Sequence, residues 1–303
     1  MTFTNNKVSP KVSIITVNYR NPGITLELLR SIQKLSFTDF EVIIVENSPV
    51  EDDSQKYKAI LPQVKVEISP QNLGFAGGNN LGIEASSGDF LYFVNNDTEV
   101  VDESFLPLLE AFENPKIGAA SPKIKYFYHP DTIQFAGFSE INMLGRNTMY
   151  GKNEVDQGQH DTPKFIPYAH GAAMMVRREI VDSIGGMPEG YFLYYEELDW
   201  SAQIVAAGYQ IAYVPQAVIY HKESMSVGKM SPLKIFYQTR NRIVFMRRNM
   251  SQLKQIGFFL YFFLVAFPKN VGIHFLKREK NLLKSYVKGT KEALTYKPSN
   301  FNA

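Results

Sequence analysis

The chain has 303 residues, 45% of them hydrophobic and 20% charged, with a formal net charge of +2. That is ordinary globular composition, enough for one large domain or a domain with an appendage. There is no cysteine, which excludes disulfides, zinc–thiolate sites and thiol catalysis.

Taken in chain order, residues 1–7 lack the apolar core of a signal peptide. Residues 12–17, VSIITV, read as a buried strand, and a helix is predicted from Ile24 with Leu28, Leu29, Ile32 and Leu35 on one face. Strands are predicted at 41–45 and 65–68, a helix at 79–85 and a strand at 90–94. Strand, helix, strand, helix, strand at this spacing argues for a parallel α/β sheet, and nearly all-apolar strands suit a sheet covered on both faces. Asp102 is expected to cap a helix over 105–112, and residues 124–165 read as hairpins and a long loop. A strand at 172–176 leads to a helix over 178–184 that ends at Gly185 and Gly186. A helix over 197–207 ends at Gly208, and two short strands follow at 210–214 and 217–220. From Ser231 onward the chain reads helical and basic, with a break near Pro268.

The small net charge conceals an asymmetry. Residues 1–228 hold 17 Lys and Arg against 28 Asp and Glu, a net of −11, whereas residues 229–303 hold 15 against 2, a net of +13. The division implies an acidic globular body, 1–228, and a basic helical region, 229–303, facing an anionic partner. Aromatic and basic stretches alternate in that region, which favours an anionic membrane surface over nucleic acid. No apolar run reaches the ~20 residues of a spanning helix. The longest, 256–267, has Arg247 and Arg248 before it and Lys277 and Arg278 after it, which suits an interfacial helix. The alternative is packing on the body or on another subunit of an oligomer. The chain is expected to be unexported, on the cytoplasmic face of a membrane.

In open α/β sheets, ligands sit beyond the carboxyl ends of the strands. Those ends here carry Asn18 to Arg20, Glu46 and Asn47, Asn72 to Gly74, Asn95 to Asp97 and, later, His221. The stretch NLGFAGGNN, 72–80, links a strand to a helix, where glycines let backbone N–H groups approach an anion. It is neither a Rossmann fingerprint nor a P-loop. Asn95, Asn96 and Asp97 form a turn or hold a divalent ion; one carboxylate binds such an ion poorly unless a diphosphate supplies further oxygens. Glu196, Glu197 and Asp199 open a helix behind an aromatic run. Acids crowded beside apolar surface gain basicity, the setting for a general base, although a helix start favours acids in any case.

The ordered series TVNYR (16–20), VENS (45–48), NLGFAGGN (72–79), FVNNDT (93–98), YYEELDW (194–200) and YH (220–221) resembles the family 2 glycosyltransferases. It is most similar to the rhamnosyltransferase-like and galactofuranosyltransferase-like branch, over roughly residues 10–250. The resemblance implies a GT-A fold, an αβα sandwich on a mostly parallel sheet, and inverting transfer from a nucleoside-diphosphate sugar with Mn2+ or Mg2+. It places Thr16, Asn18, Arg20 and Glu46 at the nucleoside, and Asn72, Gly77, Gly78, Asn79 and Asn96 along the diphosphate and sugar. His170 would face the donor sugar. Asp97, Asn95 and His221 would hold the metal, Glu197 would be the catalytic base, and Glu196 and Asp199 would bind hydroxyls. The family usually has Asp where Glu46 stands, and acids where Asn95 and Asn96 stand. The donor would be dTDP-rhamnose or a UDP-sugar, and the acceptor a saccharide or lipid-linked saccharide of a cell-surface polysaccharide. Two other readings compete: a sugar-phosphate nucleotidyltransferase, and a non-catalytic membrane assembly component with a relict nucleotide site.

Overall fold

A computed structural model describes residues 11–222 and 231–296. The N-terminal residues 1–7 and the expected boundary at 228/229 lie outside the described residues. The first half alternates as expected, with one helix, α2, that was not read from the sequence: β1 (Val12–Asn18), α1 (Pro22–Ile32), β2 (Phe40–Asn47), α2 (Ser54–Ile60), β3 (Lys65–Ser69), α3 (Gly74–Ala85) and β4 (Phe90–Val94). A short β5 (Thr98–Val100) and α4 (Phe105–Ala111) lead to β6 (Ile117–Tyr126), β7 (His129–Phe135), β8 (Glu154–Val155) and β9 (Lys164–Phe165). Then come β10 (Ala173–Arg177), α5 (Arg178–Ile184), α6 (Glu196–Ala206) and β11 (Gln210–His221). Asp102 does not cap α4; its carboxylate accepts from the backbone N–H of Ser36 instead.

The sheet runs β3-β2-β1-β4-β10-β6-β11-β5. It is parallel from β3 to β4, as the alternation requires, and mixed beyond, because β10 runs antiparallel between β4 and β6. The two short strands expected at 210–220 are one strand, β11, whose register slips between Val214 and Val218. Pro215 lies in that gap; proline cannot donate to the ladder. Burial is complete along Ile14, Ile15, Ile43, Ile44, Leu91 and Phe93, so the central strands are covered on both faces. Helix α3 sits unusually close to β1. A Cβ on Gly78 would meet Val17 at 2.8 Å, and one on Gly82 would meet Ile15 at 2.4 Å.

Four helices complete the structure: α7 (Pro232–Asn249), α8 (Gln252–Tyr261), α9 (Phe267–Leu276) and α10 (Lys280–Thr295). Helix α7 is no detached tail. Its Arg240, Asn241, Ile243, Val244, Phe245 and Met246 are buried. The break expected at Pro268 does not occur. A π-helical turn, Phe262–Ala266, joins α8 to α9, and Pro268 falls in the first turn of α9. The joined helix, Gln252–Leu276, has 25 residues and is long and apolar enough to cross a membrane by length and composition. That corrects the shorter run read from the sequence. Phe258, Phe262 and Ala266 face the protein, while Leu253, Ile256, Leu260 and Leu264 face outward. Two cations expected to flank it are engaged in the protein: Arg247 binds the carbonyls of Ala293 and Tyr296, and Arg248 pairs with Asp199 at 2.7 Å.

Candidate active site

The chain after β4 turns sharply, because Thr98 donates through both N–H and hydroxyl to the carbonyl of Asn95. The turn feeds β5, which pairs antiparallel with β11 and sets Thr98 opposite His221. Asp97 Oδ1 thereby lies 3.1 Å from His221 Nε2. The other ring nitrogen, Nδ1, lies 2.8 Å from Gln134 Oε1 on β7. With that oxygen accepting, Nδ1 carries the hydrogen and the Nε2 lone pair faces the carboxylate. Two acceptors at this separation repel unless a proton or a cation joins them. Donors on neighbouring corners of an octahedron of ~2.1 Å bonds stand about 3 Å apart, so the pair fits a divalent ion. Asn95 is half-buried at the same turn. Among the described residues no cluster of three or more His, Asp or Glu surrounds them, so the pair needs oxygens from a ligand.

Helix α6 starts from a strained approach. Phe192, Tyr194 and Tyr195 all have positive φ, at 65°, 69° and 78°. Such conformations cost roughly 1–3 kcal/mol each and persist where the surroundings enforce them. Here α7 does so. Asn241 Nδ2 donates to the carbonyls of Tyr191, Leu193 and Tyr194 at 3.1, 2.7 and 2.7 Å, and Arg240 donates to those of Gly190 and Tyr191. The loop so held aims Glu196 and Glu197. Glu196 is 3% exposed and its Oε2 has no partner among the described residues. Burial, then the charge of Glu197, raises its carboxyl well above the usual range. Glu197 is half-buried, and burial pushes its carboxyl up to about 7. Behind them stands Trp200, the only tryptophan, fully buried, edge-on to Phe93 at 5.5 Å and donating to the Gly185 carbonyl.

His170 joins the two halves. Its ring lies 6.4 Å from that of His221, and the Cβ position of its neighbour Gly171 is 3.5 Å from Glu197 Cγ. Ala172 N–H donates to His170 Nδ1 at 3.0 Å, so the neutral ring carries its hydrogen on Nε2. Burial, and next the neighbouring His221 ring, pulls its pKa down to about 3. Asp97, His221 and His170 are therefore neighbours in space, and Gly171, next to His170, brings the series to Glu197 at the helix start.

On the other side, Asn18 and Glu46 meet at the ends of β1 and β2. Asn18 Nδ2 donates to both Glu46 oxygens, at 3.1 and 3.0 Å, and Tyr57 also donates to Glu46. Burial raises the Glu46 carboxyl, against the effect of those hydrogen bonds. Asn18, Arg20, Glu46, Pro49 and Val50 line a cleft of about 190 Å³. Arg20 reaches Ser48 across its mouth.

Several expected ligand contacts take other forms. Thr16 is fully buried inside β1 and does not line that cleft. Asn96 braces the fold, donating to Asn18 and Thr25 at 3.0 and 3.1 Å. Gly77, Gly78 and Asn79 belong to α3, not to a loop cradling phosphate. Gly78 permits the approach to β1, and Asn79 donates to the Phe75 carbonyl within the helix. The amides at the α3 start are engaged as well: Leu73 N–H by Asn47, Gly74 N–H by Asn72 and Phe75 N–H by the Phe192 carbonyl. Asn72 thus shapes the turn. Asp199, fully buried, pairs with Arg248 and anchors α7 rather than a substrate. Gln134 and the Arg240–Asn241 clamp were not anticipated; no local pattern marks residues that act 47 or more positions away.

This is a GT-A fold, with helices on both faces of a central sheet and a cluster of polar side chains at the strand ends. A mannosyltransferase from Pyrobaculum calidifontis, solved with GDP-Man and Mn2+, superposes with a TM-score of 0.58 at 13% identity, covering 97% of this chain and 78% of that one. The chain belongs to glycosyl transferase family 2, whose sequence pattern matches residues 13–185. It is 24% identical over 245 residues to an N-acetylglucosaminyl-diphospho-decaprenol L-rhamnosyltransferase of Mycobacterium tuberculosis, covering 71% of this chain and 77% of the relative. It is 26% identical over 235 residues to the O-antigen biosynthesis protein RfbC of Myxococcus xanthus, covering 72% of this chain. The chain spans only 27% and 18% of the length of two curated relatives it matches, RfbC being the second.

Proposed function

We propose that this chain is an inverting glycosyltransferase. It moves a sugar from a nucleoside-diphosphate donor, dTDP-rhamnose or a UDP-sugar, to a hydroxyl of a saccharide or lipid-linked saccharide in cell-surface polysaccharide synthesis. The observation that carries this reading is the series Asp97–His221–His170, brought to Glu197 by Gly171, which joins a cation-fitting pair to a carboxylate of raised basicity.

Asp97 and His221, with Asn95 beside them, would hold Mn2+ or Mg2+, and Gln134 fixes the histidine tautomer that leaves Nε2 free to bind it. Bound there, such an ion would supply positive charge to a departing diphosphate. Asn18, Arg20 and Glu46 shape the nucleoside cleft. Glu197 takes the proton of the acceptor hydroxyl, whose oxygen attacks the anomeric carbon opposite the leaving group. The bond to the diphosphate breaks, and the nucleoside diphosphate leaves with the electron pair. His170 Nε2–H offers a donor beside the reacting sugar. Glu196 stays protonated there and limits charge repulsion against Glu197.

The outward face of Gln252–Leu276, with Lys254, Lys269, Lys277 and Arg278 exposed near it, supports peripheral attachment to an anionic membrane, on its cytoplasmic face. A second copy on that face is the competing occupant. The test is a panel of UDP- and dTDP-sugars with Mn2+ or Mg2+ and a saccharide acceptor. The expected products are a glycoside and a nucleoside diphosphate. Pyrophosphate release from a sugar phosphate and a nucleoside triphosphate would instead identify a nucleotidyltransferase.

A further inference from the structure

Arg242, on the face of α7 that meets α8, has no anionic partner among the described residues. Its Nη2 donates to the Leu144 carbonyl, and its guanidinium lies 5.6 Å from the centre of the Phe258 ring. Its Nε is buried and has no partner, and no carboxylate pairs with it among the described residues. The charged and titratable groups near it are the phenols of Tyr195, Tyr261 and Tyr286 and a second cation, Arg146. A partly buried guanidinium beside another guanidinium is unfavourable unless an anion joins them. The loop carrying Arg146 is built to close on this spot. Gly145, at φ +67°, comes so near that a Cβ there would lie 2.9 Å from Arg242 Nε and 2.8 Å from Phe258.

The position of the pair matters as much as its charge. On one side is Tyr195, the residue directly before Glu196 and Glu197. On the other is Phe258 of α8, whose opposite face exposes Ile256, Leu260 and Leu264 at 58%, 57% and 72%. Glu197 is thus linked through Tyr195 to Arg242, Arg242 through Phe258 to the apolar helix, and Gly145 brings the neighbouring Arg146 to the same place. A sugar joined through a diphosphate to a lipid has its hydroxyl, its anion and its hydrocarbon in that same order.

We propose that Arg242 and Arg146 seat the diphosphate of a lipid-linked acceptor, with the lipid running onto α8. Guanidinium forks match phosphate oxygens in geometry and charge. This rests on the glycosyltransferase reading, since the sugar end must reach Glu197.

The test uses the full chain and farnesyl diphosphate as probe, titrated calorimetrically after UDP or dTDP with Mn2+ has been bound to saturation. Nucleotide binding reports the donor side alone, so its failure would count against the proposed activity and not against this seat. Farnesyl diphosphate is expected to bind at least tenfold more tightly than either farnesol or inorganic pyrophosphate. Arg242→Met should weaken it at least tenfold, Arg242→Lys less, and Arg146→Gln several-fold, all with nucleotide binding unchanged. Because Arg146 is exposed, its variant tests the seat even if Arg242→Met fails to fold. Equal binding of farnesol and farnesyl diphosphate would overturn the proposal, as would equal binding of pyrophosphate. Unaltered affinity in the Arg146→Gln and Arg242→Lys variants would overturn it as well.

Discussion

The nucleoside end of the site and the carboxylate end are both buried, yet they are satisfied to different degrees. Asn18, Glu46, Tyr57, Asn96 and Thr25 hydrogen-bond to one another and leave a rigid polar floor. Around Glu196 and Arg242 the opposite holds: a buried carboxylate oxygen and a buried guanidinium nitrogen lack partners among the described residues. An unpartnered buried polar group costs about 1–3 kcal/mol. The first region is therefore internally satisfied, as a preformed nucleoside receptor of the proposed kind would be, while the second holds buried polar atoms left unpaired among the described residues.

The sharpest way to break that contrast is Glu197→Gln. Removing a general base lowers turnover by about 10²–10⁴-fold. Binding of UDP or dTDP with Mn2+, followed calorimetrically, should be unchanged, because the nucleoside floor does not involve it. Full activity in this variant would remove the base assignment. Next comes Asn241→Ala, which frees three carbonyls of the strained loop. Turnover should fall about tenfold, the effect of a barrier raised by roughly 1.4 kcal/mol, with the donor KM unchanged. A loss confined to thermal stability would make Asn241 a structural clamp only.

The two ends should also differ in their response to pH. As the proposed base Glu197 would have to be ionised, and burial pushes its carboxyl up to about 7, so turnover should fall about tenfold per pH unit below 7 and level off above it. Stability runs the other way. A carboxyl raised in the folded chain contributes most below the ordinary carboxylate range, and that contribution is lost as pH rises through the folded pKa. Glu196→Gln should therefore raise the melting temperature more at pH 8 than at pH 5, by about 1–3 kcal/mol of stability at most. The smallest effect is expected from Glu46→Gln, which keeps an acceptor for Tyr57 and Asn18; nucleotide affinity should change only a few-fold. A large loss there would show that the carboxylate charge, not the shape of the floor, binds the nucleoside.

Much of the fold was legible because burial writes itself into periodicity. Apolar runs at 12–17, 41–45 and 90–94 became β1, β2 and β4 within a residue or two. The polar close of an apolar strand at Asn95 to Asp97 was legible, but that it meets His221 was not, because the pairing of β5 with β11 that brings them together leaves no local pattern. The glycines of α3 were misread because a missing side chain serves close approach to a strand as well as to a phosphate. Asp199 was misread because its partner, Arg248, is distant in sequence and lay in a region whose charge pointed outward. That charge is divided in fact: Arg240, Arg247 and Arg248 serve the interior, and Lys277 and Arg278 remain exposed.

Trp200, on α6 three residues after Glu197, packs edge-on against Phe93 of β4, the strand that leads to Asp97. Being the sole indole, it makes ultraviolet emission of the whole protein a single-point optical signal from behind the reaction centre. Its dry, hydrogen-bonded setting should give a blue-shifted maximum, and any event that separates strand from helix should redden it before the remaining chain melts.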